Sequence, residues 1–416
     1  MADASASEGG IPRLDGPRSL MIEELAQAVE LSTEVFYPGG TSMGLQFPLL
    51  FAPDNVGQLR VFSEGGRLVS LVGCLHQTIL VEGHPLPVGS IGSVCTRPEY
   101  QGHGLARRLV SDVFGRLRAA GIPVALISGD RGLYKQLGCV EAGCFERFEL
   151  TGDDWARFLT SRERRRTLRD EVSCRPFEER DLPVLHELYR REPVRFFRSL
   201  EQFDKLVWKH PRLKRLLGDE RIVVAYRERP ERVSAYVITR VRAVQAGLTR
   251  LHIVEYAGVR DAVIDTIGTI IGETSPSVIT FTVPANDGQL LDLLTADGLS
   301  GTRCTLPGHT LFITDPGTLL AKLASYIQER TGMEVGKEVL IAEAPGVSEG
   351  QETRWNLRVG GELVEIPSRQ HFTRLVFGGM TPQDLESIVP RGGTAARRFL
   401  EQAFPVPLPV PGLNYV

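Results

Sequence analysis

One stretch constrains the fold of this chain more than any other: Ser93-Val94-Cys95-Thr96-Arg97-Pro98-Glu99-Tyr100-Gln101-Gly102-His103-Gly104-Leu105-Ala106-Arg107-Arg108. An extended run, LPVGSIGSVCTR, ends near Thr96, and two glycines separated by one residue follow it. From Gly104 to Ala120 the apolar residues Leu105, Leu109, Val110, Val113, Phe114 and Leu117 recur at helical spacing, which predicts an amphipathic helix. Its other face carries Arg107, Arg108, Asp112, Arg116 and Arg118. A helix with one apolar stripe needs a sheet to cover, and the short apolar run IPVALIS after it supplies a buried strand. Glycines let the backbone bend sharply and let a ligand approach the amides. The unpaired first-turn N–H groups and the helix dipole then favour an anion, with Arg107 and Arg108 adding charge-assisted contacts. A pyrophosphate is the expected guest.

Composition narrows the class. The chain has 416 residues, enough for two to three domains. Its 48 basic and 51 acidic side chains leave a net charge of −3, and the missing basic excess argues against nucleic acid as a partner. No apolar run approaches the roughly 20 residues of a membrane helix. The opening MADASASEGGIPRLDG lacks an apolar core and reads as a flexible arm, not a signal peptide. The six cysteines are scattered, with only Cys139 and Cys144 close together, so reduced thiols in a cytoplasmic protein are expected and no metal site. Glycine (43) and proline (26) together exceed the usual share of roughly 12%, which favours short elements and many turns over long bundles.

The expected organisation is mixed α/β (α+β). Upstream of the glycine bend, Ile22–Leu31 has helical spacing, and QLRVFSEGG and RLVSLVGCLHQTILVEG are two strands joined at Gly65-Gly66. With His84-Pro85 in a turn, the next run completes a three-strand meander. A short helix around Leu133–Leu137 stops at Gly138, and FERFELTG is read as closing this first unit. The charged run Ser161–Glu171 is read as a link with a solvated helix face. From about Ser173 to Thr314 the order helix, strands, helix, strand, helix returns without the glycine-rich turn, which suggests an internal duplication. It includes a helix with Asp181 as N-cap, a strand pair about Pro230 and a helix ending at Gly298. The last part has a helix at TLLAKLASYIQERTG, strands meeting at Gly360-Gly361 and two further helices. The tail FPVPLPVPGLNYV, with prolines at 405, 407, 409 and 411, is an extended, stiff path that floats or lies along a groove.

Three motifs compete for the glycine bend. A Walker A loop needs Lys-Ser or Lys-Thr after the glycines, and neither is present. A dinucleotide fingerprint needs Gly or Ala where Arg107 stands, and a parallel strand where the meander lies. The third is Gln/Arg-x-x-Gly-x-Gly/Ala, met by Gln101, Gly104 and Ala106. With the meander before it and a Tyr-bearing short helix after it, the stretch resembles the Gcn5-related N-acetyltransferase (GNAT) family. A glycine turn that merely starts a helix is the plain structural alternative. The resemblance implies acetyl-CoA as co-substrate, with no metal, and an amine as acceptor. The loop of Gly102, His103, Gly104, Leu105, Ala106 and Arg107 would hold the pyrophosphate, with Gln101 also among the cofactor-binding residues. The backbone of Val94, Cys95 and Thr96 would pair the pantetheine arm, and the Val94 N–H would polarise the thioester carbonyl. Gly129 and Asp130, in SGDRGLYKQLG, join the cofactor-binding candidates. Tyr134 would return a proton to the departing thiolate. Cys95 is read as a strand residue and not as a nucleophile, because no base is paired with it.

A wider resemblance covers the whole chain. It is similar to acetyltransferases of the enhanced-intracellular-survival (Eis) type, with tandem GNAT-fold domains followed by an α+β sterol-carrier-protein-like domain. On that pattern residues 1–16 are an arm, 17–156 the catalytic domain, 172–314 a degenerate second one, 315–404 the sterol-carrier-like domain and 405–416 the tail. The resemblance implies that the terminal carboxylate, here that of Val416, serves as base, since His84 and His103 are poor candidates. An α-carboxyl with pKa about 3.5 is charged at neutral pH and attracts a cationic amine. Aminoglycosides or lysine side chains are the implied acceptors, and a homo-oligomer, a hexamer in that family, is the implied assembly. A non-catalytic acyl-CoA- or lipid-binding regulator on the same scaffold is the alternative.

Overall fold

The computed structural model describes residues 14–164, 172–213, 219–244, 247–344, 353–388 and 394–416; the expected arm up to residue 13 and the charged run over 165–171 lie outside them. The first sheet is built as the alternation of apolar residues dictates. β1 (Asp15–Ser19), β2 (Arg60–Glu64), β3 (Arg67–Val81) and β4 (His84–Thr96) run antiparallel in sequence order. Gly65 and Gly66, at φ 56° and 83°, make the two-residue turn between β2 and β3, a left-handed pair of positions that favours glycine. The corresponding turn between β3 and β4 is Glu82-Gly83, so His84 opens β4 instead of sitting in the bend as expected.

The helix Leu105–Ala119 crosses back over this sheet and returns the chain to β5 (Val124–Ser128), parallel to β4. Its six expected stripe residues are all buried, packed with Val72, Ile91 and Ile127. Gly89 in β4 admits the helix closely: a Cβ there would lie 2.5 Å from Leu117 Cδ2.

The next strand, β6 (Phe145–Leu150), corrects the reading of FERFELTG, because it does not close the first sheet. It lies in a second seven-stranded sheet, between β12 and β13. That sheet also holds β7 (Ser173–Pro176), β9 (Asp219–Tyr226), β10 (Val233–Ala243), β11 (Thr249–Gly258), β12 (Val278–Pro284) and β13 (Thr302–Cys304). The short β8 (Val194–Phe196) instead pairs with β3, and β14 (His309–Ile313) pairs antiparallel with β5. The two sheets therefore exchange strands. β9, β10 and β11 form a meander, and the helix Arg260–Thr274 leads to β12, parallel to β11, repeating the order of the first sheet. Asp181 precedes its helix but caps no helical amide with its side chain; it is paired with Arg175 and accepts from the Glu178 N–H.

A third sheet, β15 (Val339–Glu343), β16 (Trp355–Val359) and β17 (Glu362–Ile366), carries the last helices on its apolar face. The helix expected over TLLAKLASYIQERTG is divided into Pro316–Lys322 and Ala324–Thr331. Ile79, Val81, Leu86 and Val88 of the first sheet belong to the same core as this third unit, which fixes it against the first. Among the described residues no helix is long and apolar enough to cross a membrane, and no cluster of three or more His, Cys, Asp or Glu could hold a metal ion.

Candidate active site

The site begins where two parallel strands part. β4 pairs with β5 only from Val88 to Ile91, and the rest of β4 runs on unpaired on that side. On its other side the register slips: Gly73 faces Gly92 but Leu71 faces Cys95, so β4 holds one residue more than β3. This is a β-bulge, and Ser93 sits in it at φ 51°. A bulge removes backbone groups from the ladder and turns them elsewhere. The Ser93 hydroxyl oxygen is buried with no hydrogen-bond partner among the described residues, an arrangement that fits a ligand lying on this edge.

The chain terminus lies against the bulge. A Cβ built on Gly92 would stand 2.3 Å from the carboxyl carbon of Val416 and 2.4 Å from its oxygen. A side chain at position 92 would therefore collide with the backbone of Val416, and glycine leaves room for it. The Val416 side chain is buried with Leu50, Leu71 and Cys95.

The proline tail does not float. Val406 donates to the Val376 carbonyl at 2.7 Å, and Val406, Leu408 and Leu413 are buried. One helical turn, Gly412–Asn414, then meets a buried polar network on the second sheet. Arg198 makes a two-pronged ion pair with Glu255 at 2.9 and 2.8 Å and donates to Asn414 Oδ1 at 2.6 Å. The Leu413 N–H and the Tyr236 hydroxyl also donate to Glu255, at 3.2 and 2.9 Å. Burial pushes the Glu255 carboxyl up, but Arg198 and these hydrogen bonds outweigh it and leave the group below the usual carboxylate range. The second sheet thus clamps the tail that reaches into the first.

The glycine bend has the geometry its sequence dictates. Gly102 and Gly104 lie at φ 83° and 72°, and the helix starts immediately afterwards. Gln101, Gly102, His103 and Gly104 are exposed, as is Arg107, whereas Leu105 is buried and Ala106 half-buried. Gln101 ties the bend to the strand by donating from Nε2 to the Thr96 carbonyl at 3.1 Å. Thr96 in turn shares a 2.8 Å hydrogen bond with Ser70. The first-turn amides have no intrahelical acceptor, and a Cβ built on Gly102 or Gly104 would meet nothing within 4 Å. Arg108 is the exception among the basic residues, since its guanidinium lies over the Phe62 ring at 4.5 Å.

Tyr134 belongs to the short helix Gly132–Gln136 and is buried against the start of the β5–helix turn. Gly129, at φ 144°, makes room for it: a Cβ there would be 2.9 Å from Tyr134 Cε2. The Gly129 carbonyl is fixed by Thr310 of the exchanged strand β14, at 3.0 Å. Asp130 follows and is exposed. Burial, with Cys139 and Tyr415 nearby, pushes the phenol up to about 12 against the opposing charge of Arg131, so Tyr134 carries its proton at neutral pH. Burial likewise pushes the Cys95 thiol up to about 12, which keeps it a protonated strand residue. His84 is remote from this edge, with Nδ1 2.9 Å from Ser325 and Nε2 2.9 Å from Glu329.

Residues 17–142 match the family model of the acetyltransferase (GNAT) domain. The chain carries a GNAT acetyltransferase domain. Nothing among curated protein sequences matches it. Several solved structures share the fold over nearly the whole chain. A conserved protein of Enterococcus faecalis V583, named a probable N-acyltransferase, is 16% identical, covers 94% of this chain and 97% of its own, and has a TM-score of 0.63. A GCN5-related N-acetyltransferase from Anabaena variabilis is 15% identical over 95% and 97% of the two chains, with a TM-score of 0.61. Eis1 from Mycobacterium abscessus is 14% identical over 92% and 96%, with a TM-score of 0.58.

Sequence reasoning missed the residues that seat the terminus. Gly92 lies in a strand among apolar residues, and a glycine there signals close approach by another chain segment. Arg198, Glu255 and Asn414 carry no such signal, being joined only by the fold.

Proposed function

We propose that the protein is an acetyl-CoA-dependent N-acetyltransferase that acts on a primary amine by direct attack in a ternary complex. The residues present fit the co-substrate: open amides and two left-handed glycines at the bend for the pyrophosphate, and an unpaired strand edge at Val94, Cys95 and Thr96 for the pantetheine. Gln101, His103, Leu105, Ala106, Arg107, Gly129 and Asp130 complete the binding set. Acetyl-CoA supplies an activated acetyl group and a thiolate leaving group. Val416 takes the proton from the incoming ammonium through its terminal carboxylate. The Val94 N–H donates to the oxygen that gains negative charge. Tyr134, protonated at neutral pH, gives its proton to the leaving sulfur.

The observation that carries this reading is the seating of the terminal carboxylate on Gly92, beside the bulge and within the same unit as Tyr134. The second unit is read as a degenerate GNAT domain that clamps the tail. The third is read as a sterol-carrier-protein-like scaffold in a homo-oligomer. The test is coenzyme A release from acetyl-CoA with and without a panel of primary amines. Amine-dependent release supports the reading, and tight acetyl-CoA binding without any release would leave the regulator in its place.

A further inference from the structure

A cavity of about 410 Å³ opens between the first sheet's α-helical rim, the second sheet and the tail. Such a volume suits a small molecule. Tyr37 and Phe47 line it on one side, Arg240, Arg242 and His252 on the other, and Tyr415 at the tail. Tyr415 packs against Phe47 at 6.2 Å and His309 at 5.4 Å between ring centroids. It directly precedes the terminal carboxylate, and it lies within electrostatic reach of Tyr134, Arg240 and Arg242. The cavity therefore adjoins the candidate active site.

Its charge is the informative property. Glu220 is the one carboxylate side chain on its lining, and that group is buried and already ion-paired and hydrogen-bonded to Arg240. Arg240 and His252 face each other across β10 and β11, and Arg242 follows two residues on, on the same face of the strand. Arg242 is exposed to the cavity, and no carboxylate among the described residues pairs with it. Enclosure, and then the neighbouring guanidiniums of Arg240, Arg242 and Arg147, hold His252 in its neutral form. A polycation entering here would meet the guanidinium of Arg242, which has no ion-pair partner among the described residues, and no free side-chain carboxylate. An oxyanion would meet a planar donor fork that matches it.

We propose that the acceptor amine carries an anionic oxygen group, a carboxylate or a phosphate, which Arg242, assisted by Arg240, receives in this cavity. The inference rests on the acetyl-transfer reading above and deepens it. It places polycationic amines among poor acceptors, unlike the aminoglycosides that the family resemblance implies.

The test compares matched acceptors that differ by one anion: Nα-acetyl-lysine with its carboxamide, and phosphoethanolamine with ethanolamine, with spermidine as the polycation. The assay is kcat/KM for coenzyme A release. At least one anionic member is expected to exceed its neutral partner by about 10-fold or more, the scale of one charge-assisted hydrogen bond. Which pair responds distinguishes carboxylate from phosphate. Arg242→Gln, at an exposed position, should collapse that ratio toward one, and Arg242→Glu should invert it. Equal rates within both pairs, a preference for spermidine, or a ratio unmoved by Arg242→Gln overturns the acceptor assignment while acetyl transfer stands. Absence of release with every amine overturns both.

Discussion

Gly92→Ala is the sharpest single perturbation of the site. The backbone there is not left-handed, so alanine meets no conformational objection, and the change adds one methyl group. That methyl would sit 2.3 Å from the carboxyl carbon of Val416, where ordinary contact begins near 3.4 Å. The terminus or the strand must therefore give by about 1 Å. The strand is fixed by its ladder with β3, whereas Val416 is held by its buried side chain and by the packing of Tyr415 before it, so the carboxylate moves. A misplacement of about 1 Å costs on the order of 100-fold in rate. Overpacking at the end of a tail should cost stability no more than about 1–3 kcal/mol. Steady-state coenzyme A release should show kcat lowered about 100-fold, while acetyl-CoA affinity measured by calorimetry changes less than about 3-fold. A variant with parental kcat, and a terminus shown by crystallography to have moved, would refute the role of the carboxylate's position.

Further outcomes concern Tyr134 and Glu255. Tyr134→Phe should lower kcat about 10- to 100-fold or more with acetyl-CoA affinity nearly unchanged, and unchanged turnover removes Tyr134 from the proton path. Because burial raises that phenol to about 12, kcat should show no decline attributable to Tyr134 between about pH 7 and 10, which a pH–rate profile checks. Glu255→Gln strips a buried guanidinium of its counter-charge and should destabilise the fold by roughly 3–5 kcal/mol in denaturant titrations. The folded Glu255 carboxyl titrates below its unfolded value, so its contribution is full above about pH 4.3 and is lost as pH falls through the folded value. In the parent protein thermal stability should accordingly be insensitive to this group from pH 8 to 5 and fall only in stronger acid; a loss already at pH 6 would contradict that assignment.

The elements nearest the chemistry were the most legible. The glycine bend, its amphipathic helix and the short tyrosine helix follow from local rules: glycine at left-handed φ, a helical apolar stripe, a stop at Gly138. What local rules do not carry is the exchange of β6 and β14 between the sheets. Phe145–Leu150 has the same alternation whichever sheet receives it, so its destination depends on partners more than a hundred residues away. The tail shows the same division. Its four alternate prolines dictate an extended path, but its groove is made by Arg198 and Glu255, which no spacing links to Asn414. Likewise nothing in the spacing of Arg240 and Arg242 marks a site until the fold gathers them into one cavity with Tyr37 and Tyr415.

The central claim is that the last atoms of the chain do chemistry in its first domain. Deleting Asn414–Val416 and measuring amine-dependent coenzyme A release against acetyl-CoA affinity tests it most directly. Loss of a general base should lower turnover by about 100- to 10,000-fold while acetyl-CoA still binds at the glycine bend. Turnover at the level of the full chain would contradict it.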